Sequence, residues 1–203
     1  MNVEIKISNR KIPYKSSLKY LEKRVNDVKL GKKRDLIWIL EHPLIFTGGI
    51  SSNDIDILDK NINVIKTKRG GKITLHNPGQ KIIYFVVNLN KREKDIRKFI
   101  NYIEDSIIEF LQLFDINSKS DRKNIGIWVK DKKIAAIGIR VSRWIAYHGC
   151  SININNNLED YKKINPCGLK NDKITSIKNE NKDMNIDVNN TLKKIFLKNL
   201  SEI

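Results

Sequence analysis

The sequence predicts an α+β fold: a single domain in which helices flank a mixed or antiparallel sheet. Three observations predict it. Strands outnumber helices, the strands cluster in hairpin-like runs rather than alternating with helices, and 203 residues suit one domain. Ser16 or Ser17 can cap a first helix with Leu18, Leu21, Val25 and Val28 on one stripe, stopped near Gly31. Residues 36–40 form a buried strand that ends at Glu41-His42-Pro43, since a residue before proline is pushed away from helix. Gly48, Gly49, Ser51 and Ser52 mark a loop. Short strands follow at 63–67 and 72–75, on either side of Arg69-Gly70-Gly71, and residues 82–89 form the most hydrophobic strand. From Asp95 the period turns helical, with Ile96, Phe99, Ile100, Ile103, Ile107, Phe110, Leu111 and Phe114 on one face. Strands at 125–129 and 134–141 flank a hairpin turn at 130–133, and 144–154 adds another strand. A short helix at 158–164 and a last helix at 188–200 complete the chain.

Composition narrows the function classes. With 40% apolar residues the chain can bury a core. Its 39 Lys and Arg against 23 Asp and Glu give a net charge of +16, which favours an acidic partner or reflects a Lys-rich solvated surface. Two cysteines make no disulfide framework, and no CxxC pair or Cys/His zinc spacing occurs, so no metal site is expected. No apolar run reaches the ~18 residues of a membrane span, and the N-terminus lacks a signal core. A cytoplasmic protein in a reducing compartment is expected.

The chemistry-bearing residues are few. Lys133 opens the apolar segment Ile134-Ala135-Ala136-Ile137-Gly138, and strand parity groups it with Ala135, Ile137, Ile139 and Val141. Burial on that face disfavours the charged ammonium, as a lysine base requires. The same residue also reads as a turn lysine whose ammonium reaches water. The small side of that strand, at Ala136 and Gly138, leaves room for a ligand. Cys167 lies between Pro166 and Gly168, a turn that can present both a sulfur nucleophile and oxyanion donors, or can simply bury a structural thiol. Arg69-Gly70-Gly71 leads to His76-Asn77-Pro78-Gly79-Gln80 and can orient a phosphate or carboxyl oxygen, or form a glycine hairpin. Neither GxxxxGK[ST] nor GxGxxG is present. His148-Gly149 can reach a pocket wall, or His148 is an ordinary hydrogen-bonded histidine.

Together these segments resemble the lipoyl(octanoyl) transferases, the lipoate-protein ligase B family. Its Arg-Gly-Gly segment leading through a histidine to Pro-Gly-Gln is similar to residues 69–80. Its Lys-Ile-Ala-Ala-Ile-Gly-Ile-Arg-Val-Ser-Arg segment is similar to 133–143 without a gap. His-Gly, Asn-x-Asn, Pro-Cys-Gly and Thr-Ser follow in the same order at 148–149, 153–155, 166–168 and 175–176.

The resemblance implies a single α+β domain like the catalytic domain of biotin and lipoate ligases. It implies transfer of an octanoyl group from octanoyl-acyl carrier protein to a lysine of lipoyl domains, those of 2-oxoacid dehydrogenases and the glycine cleavage H protein. This is the first step of endogenous protein lipoylation. Cys167 would carry the acyl thioester, and Lys133 would make its thiolate easier to form and serve as acid and base. Substrate-binding segments fall on Arg69, Gly70, Gly71, Lys72, Ile73, Thr74, Leu75 and His76, on Ala136, Ile137 and Gly138, and on Gly149, Cys150 and Ser151.

No cofactor, metal, nucleic acid or membrane is implied. Asn77, Leu75, Trp144 and Cys150 depart from the family pattern and bear on acyl-chain preference. Cys150 near the pocket would also be able to form a disulfide with Cys167 on oxidation. Two rival readings are an ATP-dependent lipoate ligase of the same fold and a basic nucleic-acid-binding protein.

Overall fold

In the computed structural model, residues 3–166, 173–181 and 185–202 are described. The ten strands among them are β1 (Val3–Ile7), β2 (Asp35–Leu40), β3 (Ile45–Gly48), β4 (Val64–Lys66), β5 (Ile73–His76), β6 (Gln80–Asn88), β7 (Lys119–Ser120), β8 (Ile127–Val129), β9 (Lys132–Ser142) and β10 (Ile145–Asn153). The helices are α1 (Tyr14–Lys29), α2 (Ile96–Gln112), α3 (Ile177–Glu180) and α4 (Val188–Leu200). Seven strands form one mixed sheet in the order β1-β2-β6-β10-β9-β8-β7, and β4-β3-β5 form a small second sheet. Only β1 and β2 run parallel in the large sheet; its other pairs are antiparallel.

Strand alternation sends residues to two different cores. Ile37, Ile39, Ile83, Phe85 and Val87 face α2 and α4, where Phe99, Ile103, Phe110 and Phe196 meet them. Their neighbours Leu36, Trp38, Ile82, Tyr84 and Val86 face Leu21 and Val28 of α1. Phe85 anchors the first core, edge-on to Phe99 at 5.7 Å and 5.6 Å from Phe196. The small sheet has its own core, in which Phe46, Ile73 and Leu75 pack on Tyr161 and Ile164.

Several elements differ from the sequence expectation. α1 starts at Tyr14, because Pro13 holds φ at −55° and its carbonyl accepts from the N–H groups of Ser16 and Ser17 at 3.0 and 3.1 Å. Ser17 lies inside the helix and donates to Tyr14 O at 2.7 Å. β4 and β5 do not pair with each other; both flank β3, a four-residue strand squeezed between Pro43 and Gly49. The segment at 158–163 is a 3₁₀ turn, and β1, β7 and α3 were not anticipated.

No helix among the described residues is long and apolar enough to cross a membrane. Phe85→Ala is expected to cost about 3–5 kcal/mol, since it removes a fully buried ring from contact with three aromatic neighbours. Urea unfolding at neutral pH measures it.

Candidate active site

A slot lies between the large sheet and the small one. Its floor is built where β9, β10 and β6 present their small side: Ala136 and Gly138, then Gly149 and Ser151, beside Ile82 and Tyr84. Gly149 cannot be replaced without moving the sheet, because a Cβ there would stand 1.8 Å from Ile83 O. The roof comes from the segment after β4: Arg69, Gly71, Lys72, Thr74 and His76 line the slot, with Tyr14 of α1 closing one side. Ile73 and Leu75, alternate residues of β5, turn instead into the small core, and Gly70 lines a neighbouring groove. Ile137 and Cys150 reach the slot's edge, but both belong to the α2/α4 core. Cys150 is 4% exposed, and burial pushes its thiol up, so it is a core thiol rather than a reactive wall.

Lys133 occupies one end of this floor, on a face that parity misassigned. The β8–β9 register moves from Ile127–Ala135 to Trp128–Lys133, one residue on β8 against two on β9. Ile134 is therefore the extra residue of a β-bulge, and both it and Ala135 enter the core. Lys133 is thereby turned to the opposite face from Ala135, and lies across from Trp128. Its ammonium sits 5.0 Å over the Trp128 ring and donates to Ile125 O at 3.0 Å, with the side chain 4% exposed. Gly126, at φ 142°, makes room for it: a Cβ there would lie 3.1 Å from Lys133 Cε. A small cavity joins Lys133 to Thr74, Ala136, Ser151 and Pro166. Cys167 and Gly168 lie outside the described residues.

A neutral polar network holds the elements around that cavity. His76 Nδ1 donates to Gln80 Oε1 at 2.7 Å, and Gln80 Nε2 donates to Asn153 Oδ1 and Tyr161 OH, both at 2.9 Å. Asn153 Nδ2 then donates to Thr175 O at 2.9 Å, and Thr175 N to Lys133 O at 3.0 Å. Asn77 clamps the loop leading to Pro166. It donates to Asn157 O and Asp160 Oδ2 at 2.8 and 2.9 Å and accepts from Asn156 Nδ2 at 2.9 Å.

Three histidines are buried here. His42 Nδ1 donates to Ile12 O at 2.5 Å, leaving Nε2 to accept from Tyr84 OH at 2.8 Å. Burial pushes His42 down to about 4. It pushes His76 down to about 3, aided by His42 and Arg69. His148 is pushed down to about 4 by burial and by the Arg69 and Arg140 charges. All are neutral near pH 7. Tyr14 and Tyr84 line the slot but were not foreseen as site residues. Nothing in their local sequence signals it, because folding alone brings α1 and β6 to the slot. Among the described residues no group of three or more His, Cys, Asp or Glu could hold a metal ion.

Known proteins identify the site's lineage. Residues 13–199 match the family model described as the lipoyl protein ligase A/B catalytic domain. An octanoyltransferase of Wolbachia sp. subsp. Brugia malayi is 42% identical over 97% of this chain and 98% of that protein. The chain belongs to the lipoyl(octanoyl) transferase family. A second octanoyltransferase, from Bartonella bacilliformis, is 40% identical over 96% of this chain and 87% of its own length. A member of this family is an acyltransferase of protein lipoylation, and this chain is an enzyme of that kind.

Solved structures share the fold. A lipoate-protein ligase A bound with ATP superposes with TM-score 0.81 at 15% identity, over 99% of this chain and 86% of that one. A bi-partite lipoate protein ligase from Thermoplasma acidophilum, from a study of that ligase and its E2 lipoyl domain, gives 0.73 at 14% identity over 98% and 84%.

The histidines make stability depend on pH. Each binds a proton in the unfolded chain near its ordinary 6.5 but resists it when folded. Their stabilising effect is therefore complete above pH 6.5 and is lost as pH falls toward 4, by about 1.4 kcal/mol per histidine per pH unit. Urea midpoints between pH 7.5 and 4.5 are expected to fall steeply, and His42→Gln to give a shallower slope.

Proposed function

We propose that this enzyme moves an octanoyl group from an acyl carrier thioester to a lysine of a lipoyl domain through a thioester on Cys167. The observation that carries this reading is Lys133, buried beside the slot floor and sharing a cavity with Pro166, the residue before Cys167 in the sequence. The Cys167 thiolate attacks the carrier thioester, the carrier thiol leaves, and one thioester replaces another in a nearly balanced exchange. Lys133 holds the sulfur proton as the ammonium of a thiolate–ammonium pair and gives it to the departing carrier thiolate. The resulting amine then accepts a proton from the incoming lysine as its nitrogen bonds to the acyl carbon. The Cys167–acyl bond breaks, which releases the Cys167 thiolate and restores the pair. Amide formation then draws the sequence forward, so ATP is not needed. Kinship supports this over the ATP-dependent ligase reading. The octanoyltransferase relatives are about 40% identical, the ligase structures about 15%.

The octanoyl chain occupies the slot, where each buried methylene contributes roughly 0.8 kcal/mol. The carrier's thiol-bearing arm enters by a wider groove, lined by Lys72, Lys123, Ile125 and Lys133, which adjoins the slot at Gly71 and Gly138. The acceptors are lipoyl domains of the kind carried by 2-oxoacid dehydrogenases and the glycine cleavage H protein.

Incubation with octanoyl-acyl carrier protein, without ATP, is expected to yield a hydroxylamine-labile octanoyl adduct by intact mass that is absent from Cys167→Ser. Lys133→Met is expected to form it ~10²–10⁴-fold more slowly. Modification of a lipoyl domain only when ATP and free octanoate are supplied would overturn the reading. Because the donor is acidic and the enzyme carries +16, kcat/KM is expected to fall about tenfold from low salt to ~0.5 M. A flat response would show that the charge plays no part in docking.

A further inference from the structure

The thioester route needs a lysine ammonium held in one place, and the surroundings of Lys133 show what holds it. The residue is 4% exposed, and no carboxylate pairs with it among the described residues. Two groups meet its ammonium instead. Ile125 O accepts from Nζ at 3.0 Å, and the centre of the Trp128 ring lies 5.0 Å away. An ammonium carries three donors, of which Ile125 O takes one. One neutral carbonyl offsets only part of the cost of withdrawing a cation from water. The indole supplies a second attraction, for tryptophan is the strongest aromatic partner of a desolvated cation.

Trp128 is itself fixed in that position. It is 7% exposed, and its Nε1 donates to Asn124 O at 2.9 Å. The indole and the ammonium are therefore anchored on the carbonyls of two consecutive residues, Asn124 and Ile125. Asp121 shapes the turn that presents those carbonyls, since its Oδ1 accepts from the N–H groups of Lys123 and Asn124 at 2.8 and 3.3 Å. Gly126 leaves the space between them open: a Cβ there would lie 3.1 Å from Lys133 Cε and 2.6 Å from Ala135 O. The bulge at Ile134 then sets Lys133 across from Trp128 on the neighbouring strand. Turn, glycine and bulge converge on one ring and one ammonium.

Resting on the thioester reading, we propose that Trp128 is a positioning residue of the transfer reaction, its ring face holding the Lys133 ammonium ready to pair with the Cys167 thiolate. A carboxylate in that place would form a charge-assisted hydrogen bond and hold back the proton that the carrier thiolate must receive. A ring face attracts the charge but offers no lone pair to the proton. Lys133 can therefore give its proton up and regain it without leaving its place.

The test puts tryptophans carrying one to four ring fluorines at position 128 of the full chain. Each fluorine drains negative charge from the ring face, while the indole N–H and the outline of the ring are kept. Two readouts are followed. One is the single-turnover rate of octanoyl-adduct formation on Cys167 from saturating octanoyl-acyl carrier protein, which does not depend on how much of a preparation is folded. The other is acetylation of Lys133 by limiting acetic anhydride, measured by peptide mass against Lys198, an exposed lysine in the same digest. The adduct rate is expected to fall stepwise to about a tenth of the wild-type value, and Lys133 acetylation to rise by a similar factor. Trp128→Phe keeps a ring face but loses the bond to Asn124 O, and is expected to retain more of the rate than Trp128→Leu. An adduct rate or a Lys133 acetylation that stays constant along the fluorinated series would overturn the proposal, as would equal rates in the Phe and Leu variants. If acetylation rises along the series but the unsubstituted enzyme forms no adduct on Cys167, the thioester reading falls and Trp128 still anchors the Lys133 ammonium.

Discussion

The antiparallel register of β6, β10 and β9 is the constraint on which the rest of the site depends. Once Gly149 is fixed between Tyr84 and Gly138, the small residues of two strands fall on one face and leave the slot floor. A one-residue slip would place Cys150 and Ile137 there and bury Gly149 in the main core. The absence of a Cβ at Gly149 lets β6 approach closely at that point. The bulge at Ile134 then ends this regularity where it matters, turning Lys133 out of the hydrophobic alternation to lie over Trp128.

The interior around the slot is polar but sparingly charged. Amides, hydroxyls and neutral imidazoles connect His76 to Thr175 and Asn77 to Asp160, each donor matched to an acceptor. Among the described residues Arg69 and Lys133 are the cations buried there, held by backbone carbonyls and the Thr47 hydroxyl rather than by a carboxylate. A carboxylate beside either would stabilise the ground state and compete with the reacting groups for the same protons. Carbonyl oxygens satisfy part of each cation and leave the rest of its field directed into the slot and the groove.

Much of the fold was legible because the hydrophobic period is strong in its long elements. α2 follows its predicted face except at Ile96, which is exposed, and starts where the period turns helical, with Asp95 Oδ1 accepting from the N–H groups of Arg97 and Lys98. The apolar run of β6 and the last helix also lie where hydropathy placed them. Short or edge elements were not legible. β3 has four residues, and β1 is only half buried along its length, so neither shows alternation strong enough to read. Of the site, the order of the Arg69, Lys133 and His148 segments was visible through a family resemblance. The face of Lys133 was not, because a bulge leaves no sequence trace. Nor was the core placement of Cys150, since parity is defined only once the register is known. The pairing of Lys133 with Trp128 was hidden by what hid its face, the bulge between β8 and β9.

The two faces of the large sheet serve different ends. One carries the large α2/α4 core, the other the slot beneath α1 and the small sheet. Residues such as Phe99, Phe110 and Phe196 belong to the first face alone, and Thr74, Tyr14 and His148 line the second. Drift in the core can therefore alter robustness without touching what the enzyme accepts. Drift in the roof can retune its substrate without weakening the scaffold. Such a chain can diverge along two nearly independent axes, and the architecture itself is kept in solved structures about 15% identical to it.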